Sequence, residues 1–325
     1  CTASFYFIPQ GEWMLAAILY AFAAVGFSGG NVFYDSLIVS VSNNENRNRV
    51  SALGYSLGYL GGGLLFLVNV IMFLNPQFFG IENQSNAILI SFVMVAFWWA
   101  FFSIPILRNV SESDTQKEEP RFFKAILQSF NEVYQTLMEV RKYKNVAIFL
   151  LAYWFYMDGI DTIVRMATAY GSDIGLEASS MITALILTQF VGFPSTLIFG
   201  YFADKIGFKK IISIGILIYI LISIFASRIT TATEFYLMAV VVGLVMGGVQ
   251  AVSRAYFSSI IPEDKEAQFF GFYNLVGKSA VVAGPALLAW ISMIFNTPRA
   301  GILGLLILFI PGLILLWMVP TQKNS

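Results

Sequence analysis

Asp158, Asp161 and Arg165 stand at i, i+3 and i+7 of one apolar run. On a helix this spacing places all three on one face, with Asp161 and Arg165 paired across a turn. A charge at mid-bilayer costs about 2.5 to 3.5 kcal/mol on insertion scales, so a tolerated one faces a cavity or a partner. Lys278 lies about twelve residues into another apolar run, near the depth of Asp158. Two chemistries follow. The four groups could line a central cavity and bind a zwitterionic solute, or exchange a proton with it. Alternatively they close on one another as ion pairs that lock two helices. Gln189 and Gln250 carry no charge, yet each needs hydrogen-bond partners in hydrocarbon, either another helix or a solute.

Other chemistries are excluded by composition. The chain has no histidine and a single cysteine, Cys1. An internal disulfide, a thiolate metal cluster and an imidazole base or relay are therefore ruled out, and proton traffic must use carboxylates. No metal and no cofactor is expected. An intramembrane enzyme would need a Ser-Lys or aspartyl pairing that no motif links. No Gly-x-x-x-x-Gly-Lys-(Ser/Thr) motif occurs, so ATP is not the energy source in this chain. Nineteen basic residues balance nineteen acidic ones, leaving no basic field for nucleic acid.

These residues sit in a chain that is 58% hydrophobic and 12% charged, with a mean hydropathy of +0.74. A soluble domain averages roughly 25% charged, so the expected environment is a lipid bilayer. Runs long enough to cross appear at about 13 to 41, 50 to 74, 86 to 107, 145 to 170, 176 to 202, 209 to 228, 234 to 257, 266 to 294 and 299 to 319. That predicts an all-α polytopic protein with nine crossings. Residues 1 to 8 are too short to cross and are broken at once by Pro9, Gln10, Gly11 and Glu12. They read as the remnant of a further helix in a truncated start. Residues 108 to 144 carry Glu112, Asp114, Lys117, Glu118, Glu119 and Pro120, then Phe122, Ile126, Phe130, Val133, Leu137 and Val140 at helical spacing. That is a linker with an interfacial amphipathic helix. Arg47, Arg49, Arg108 through Lys144, Lys205, Lys209, Lys210, Lys265 and Lys323 fall in alternate loops, which places those loops in the cytoplasm. Trp13, Trp290 and Trp317 near run ends read as interfacial anchors.

One polar hinge between crossings reads Gly200-x-x-x-Asp204-Lys205-x-Gly207-x-Lys209-Lys210. Gly207 permits a tight turn, and Asp204 can cap a helix or meet a cation. At every defined position the spacing resembles the loop signature of the major facilitator superfamily. Further blocks are Val32 to Ser36, Ser51 to Gly62, Asp158-Gly-Ile-Asp161-Thr162-Ile, Gly247 to Arg254, Phe269 to Asn274, Lys278 and Gly284-Pro285. Together these resemble the vacuole-effluxer-like, or "unknown major facilitator", branch. The block at Asp35 departs from that branch, which more often carries Asn there.

The resemblance implies a major facilitator fold of twelve helices, nine of them complete here plus a remnant. The expected domains are a partial N-terminal bundle at 1–107, the linker at 108–144 and a six-helix bundle at 145–325. It also implies a secondary transporter, with amino-acid efflux in the fungal members, that alternates access to a midplane site for a small solute and exchanges protons. Crossings of the class that faces the cavity contribute Tyr34 and Gln250 beside Asp158, Asp161, Arg165 and Lys278. Asp35, close to a helix end, reads as solvated. By analogy Asp204, Lys205, Gly207 and Arg254 form the cytoplasmic gate, Asp204 pairing with Arg254 near the helix that starts at Ser51. Gly54, Gly58 and Gly62, and Gly243 and Gly247, should form packing seams. Gly159 could loosen its helix or pack against a neighbour. The expected protein is a monomer in a bacterial inner membrane, its partners being lipid and solute. A sensor or scaffold with the same fold is the competing function, and solute flux separates the two.

Overall fold

A segment that crosses hydrocarbon must satisfy its own backbone hydrogen bonds, and a helix does so within one strand of chain. The computed structural model describes residues 1–43, 45–110, 135–262 and 265–320. Among them every regular element is helical. After a 3-10 turn at Thr2–Phe7 come α1 (Trp13–Ser36), α2 (Ile38–Val41), α3 (Arg47–Leu74) and α4 (Gln84–Asn109). The second part holds α5 (Lys144–Asp173), α6 (Ala178–Ile206), α7 (Phe208–Ala226), α8 (Ala232–Ile260), α9 (Glu266–Ser279), α10 (Ala283–Phe295), α11 (Pro298–Gly304) and α12 (Leu306–Met318). Nine helical stretches among the described residues are long and apolar enough to cross a membrane, one for each run read from the sequence.

Three of those runs are not single helices. The first is split at Leu37 into α1 and α2, and the last at Leu305 into α11 and α12. The run at 266 to 294 breaks between Ser279 and Ala283. Pro285 accounts for this break: it has no N–H for the carbonyl of Val281, and its ring would collide with that carbonyl. Pro105, Pro194 and Pro311, by contrast, lie within α4, α6 and α12, which continue through them.

The chain forms two compact units, Cys1–Tyr34 with Gly61–Ile126 and Asp35–Leu60 with Leu127–Ser325. In the first, Phe5 stacks on Phe92 at 5.0 Å and Phe27 tilts against Trp99 at 5.9 Å. None of the residues of α1 is fully buried; Ala16, Leu19 and Ala23 form a partly covered stripe, and most of its other apolar side chains are exposed.

The second unit holds the large core, in which Phe149, Tyr156, Ile160, Ile212, Tyr219, Phe257 and Phe270 are fully buried. Its closest seam joins α6 to α8. A Cβ on Gly243 would stand 2.8 Å from the carbonyl oxygen of Thr188, and one on Gly247 would stand 2.1 Å from Thr196 Oγ1. The expected seam along α8 is therefore present. Gly58 on α3 has nothing within 4 Å of such a Cβ, so the seam expected on that helix does not include it. Gly159 is packed, with the ring of Phe309 2.7 Å from its Cβ position, and α5 runs through it unbroken.

The hinge between α6 and α7 turns as its spacing predicts. Gly207 has φ 95°, a left-handed conformation that glycine adopts without strain. Of the linker's predicted amphipathic helix, Phe122, Ile126, Phe130 and Val133 lie outside the described residues. Residues 135–140 are helical, with Val140 buried and Leu137 partly exposed. Thr136 and Glu139 hold this short piece to the start of α9, through Gln268 in its first turn at 2.7 Å and through Lys265 just before it.

Candidate functional site

The first half of α3 is bound to the helices of the second unit by a line of polar contacts. Arg47 Nη1 donates to the carbonyl of Ser258 at 3.3 Å and lies 3.8 Å from Glu266. At the next residue, Asn48 Nδ2 donates both to Gly200 O and to Asp204 Oδ1, each at 2.7 Å. Ser51 Oγ donates to Ala251 O at 2.9 Å, and Ser56 Oγ to Phe193 O at 2.7 Å. Further along, Tyr59 OH donates to Gln250 Oε1 at 3.1 Å. Positions 48, 51, 55 and 59 follow helical spacing, so one polar stripe of α3 faces α6 and α8.

Arg254 sits in the middle of this stripe and is buried. Its Nη1 donates to Asp35 Oδ1 at 2.9 Å, its Nε to Ser51 Oγ at 3.0 Å and its Nη2 to Ser51 O at 3.4 Å. The guanidinium carbon lies 4.8 Å from the centre of the Tyr55 ring. A planar fork with five donors suits this arrangement, and lysine would not. Two expectations are corrected here. Arg254 takes Asp35 as its carboxylate, and Asp204 is bound by Asn48 instead. Asp35 is correspondingly not solvated, since its side chain is only 15% exposed. The physical reason is burial: a cation cut off from water requires an anion in direct contact, whereas Asp204 is exposed and needs no ionic partner beyond the Asn48 amide. The part of the expectation that placed Asp204 beside the start of the helix near Ser51 matches the structure. Lys205 lies over the Tyr201 ring at 4.3 Å.

The charged face of α5 is formed as the spacing predicts. Asp158 is fully buried and Asp161 half-buried, while Arg165 is exposed. The fields of Arg165 and Lys278 converge on Asp161. The Asp161 charge in turn acts on Tyr59 of α3, Tyr153 of α5 and Tyr219 of α7. Ion pairs among the described residues include Arg254–Asp35, Arg47–Glu266 and Lys265–Glu139, whereas Asp161 and Arg165, expected to pair across one turn, form none with each other. Asp158 is held by a different group, the Gly284 N–H, which donates to its Oδ1 at 2.9 Å.

The structure therefore brings Asp158, Asp161, Arg165, Lys278 and Gln250 into the second unit. Tyr34 belongs to the first unit and is 46% exposed. Asn48, Ser51, Tyr55 and Tyr59 were not foreseen as functional. Their one available signal was the recurrence of polar groups at helical spacing inside an apolar run. An apolar cavity also lies between α5, α6 and α8, lined by Ala167, Met181, Leu185, Phe235 and Met238, one to two turns beyond Asp161.

This architecture defines a class. The structure is similar to the fucose:proton symporter FucP of E. coli, with a TM-score of 0.61 over 90% of this chain and 73% of the symporter, at 9% sequence identity. It is a multi-pass membrane protein with the major facilitator fold. The profile described as "Vacuole effluxer Atg22 like" matches residues 1–325, and the chain belongs to that family. It is similar to YxiO of Bacillus subtilis, an MFS-type transporter, at 37% identity over all of this chain and 75% of that protein. Autophagy-related protein 22 of Kluyveromyces lactis is 25% identical over 82% of the chain, which spans 56% of that relative. The chain is thus of the transporter class and not an enzyme.

Proposed function

We propose that the protein is a secondary active transporter that exports a small zwitterionic solute, of the amino-acid class, by alternating access. The observation that carries this reading is the half-buried Asp161 carboxylate on the same face of α5 as buried Asp158, with the charges of Arg165 and Lys278 acting on it. An ammonium group is matched by Asp161, and a carboxylate by Lys278 and Arg165. Gln250, bonded to Tyr59, adds a neutral donor and acceptor, and Asp158 a buried acid. Efflux is favoured by the family's description, and protons are the coupling ion for which carboxylates suffice. The basic loops containing Arg47, Lys205, Lys209 and Lys265 are assigned to the cytoplasm. On that assignment, the Asn48–Asp204 and Arg254–Asp35 contacts close the cytoplasmic end. The division into an N-terminal bundle at 1–107, a linker at 108–144 and a six-helix bundle at 145–325 is retained as part of this proposal. So are a monomeric state and a bacterial inner-membrane location.

The test is counterflow of a labelled amino-acid panel through the full-length protein in liposomes, with Asp161→Asn and Lys278→Met as variants. Stimulated exchange of at least one amino acid, lost in both variants, is the expected result. Absence of exchange for every solute by a folded protein would favour the sensor or scaffold. Unaltered exchange in both variants would remove these residues from the site.

A further inference from the structure

Two buried oxygens beside the break between α9 and α10 lack a hydrogen-bond partner, Asp158 Oδ2 and Thr162 Oγ1. Both residues have no exposed surface. They lie one turn apart on α5 and face the start of α10. A Cβ on Gly284 would stand 2.0 Å from Thr162 Oγ1 and 2.8 Å from Asp158 Oδ1, so only glycine fits there. The Gly284 N–H donates to Oδ1, and Oδ2 receives nothing.

An ionised carboxylate accepts at both oxygens and, away from water, requires donors for both. The start of α10 cannot supply a second one at the next position, because Pro285 has no N–H. A neutral acid matches what is present. Its carbonyl oxygen accepts from Gly284, and its hydroxyl oxygen, carrying its own hydrogen, no longer places an unpaired charge in a dry site.

We infer that Asp158 is a proton-binding site, holding a proton on Oδ2 while the helix is broken between Ser279 and Ala283. The proton is taken from water and returned to it, the O–H bond forming and breaking at Oδ2 alone. Loss of the proton leaves an anion with a single donor, so the start of α10 must move to bring a further N–H or admit water. Gly284 is the link between protonation and the bend. Asp161 is the charged group acting on Asp158, and Arg165 of α5 and Lys278 of α9 act in turn on Asp161, as Asp161 does on Tyr219 of α7; Tyr156 of α5 is bonded to Ser253 Oγ. Facing it, α10 and α12 have no titratable side chain, Arg299 of α11 bonds Ile229 O, and Glu234 and Arg254 lie toward the two ends of α8. As a means of coupling transport to protons, the site rests on the transporter reading, but its detection does not.

The test is infrared spectroscopy of the full-length protein in lipid, with no solute present. At neutral pH the carbonyl stretch of a protonated carboxylic acid is expected; it should shift in heavy water and vanish in Asp158→Asn. In a Cys1→Ser background, labelling of Val282→Cys within the break should change at the pH where the band disappears, and stay flat in Asp158→Asn. Absence of the acid band at neutral pH overturns the inference and would fit a bound alkali cation or an anionic carboxylate. So does a band that survives Asp158→Asn. If that variant does not fold, labelling of Val282→Cys that stays flat across the pH at which the band disappears is equally decisive. None of these readouts measures flux, so their failure leaves the transporter reading standing.

Discussion

A single amide nitrogen, Asn48 Nδ2, serves both the carbonyl of Gly200 and the carboxylate of Asp204 at 2.7 Å. This explains the first spacing of the hinge motif, because residues four apart on a helix present their groups to one point. Gly200 is further restricted by Ala52, whose Cβ would lie 2.7 Å from an added Cβ. Hydrogen bonds to a charged group contribute about 1.5–3 kcal/mol. Asn48→Leu should therefore shift the end of α6 toward separation by at least about tenfold. Labelling of Ala52→Cys, which is buried in the native chain, measures this in the full-length protein. An unchanged labelling rate in Asn48→Leu would show that the contact closes nothing.

The Arg254–Asp35 pair should behave as a buried pair. Removing either partner leaves an uncompensated charge, at a cost of about 3–5 kcal/mol. Asp35→Leu and Arg254→Leu should each lower the melting temperature in detergent, and the double variant should be less damaged than the sum. Strict additivity would mean that the two side chains do not depend on one another. Arg254→Lys should not restore stability, since Ser51 is bound through both Nε and Nη2.

The nine helices among the described residues that are long and apolar enough to cross a membrane were legible because uninterrupted apolar length is a composition signal, and a helix is the outcome that satisfies such a segment. The shared face of Asp158, Asp161 and Arg165, and the turn at Gly207, were legible because both depend only on local spacing. The break before Ala283 was written in Pro285, but a hydropathy reading does not register it, since the unwound residues are as apolar as the helix. The partner of Arg254 was not legible at all. Asp35 and Asp204 are both acids near helix ends, and only folding decides which one the buried guanidinium meets. Gly58 repeats at the spacing of a seam, yet its pattern carries no information on whether another helix lies opposite.

Glycines of α3 and α8 should therefore respond in opposite directions. Gly247→Val would place carbon within 2.1 Å of Thr196 Oγ1 and 2.4 Å of the Tyr59 ring, which forces α8 from its neighbours. Loss of folded protein is expected, read as the monodisperse fraction in size-exclusion chromatography. Gly58→Ala meets nothing and replaces a poor helix former by the best one, a gain of up to about 1 kcal/mol. Its melting temperature should hold or rise. A loss comparable to that of Gly247→Val would mean that another segment of the folded protein lies against Gly58.

Asp161 and Lys278 offer the sharpest separation of a binding site from a structural lock, because the two readings agree on stability and differ on transport. If the two charges merely neutralise one another, Asp161→Asn and Lys278→Met each lower stability, and the double variant recovers both stability and flux. If Asp161 holds an ammonium and Lys278 a carboxylate of the solute, the double variant can regain stability but not transport. Each single change should then reduce kcat/KM by at least about tenfold, the worth of about 1.4 kcal/mol. The double change should cost little more than one of them, because groups acting on one ligand are not additive. Arg165→Met, at the exposed end of the same face, should raise KM with little effect on kcat, as expected of a group that contributes binding alike before and during translocation. Measured exchange in the double variant at the native rate would assign both charges to the scaffold.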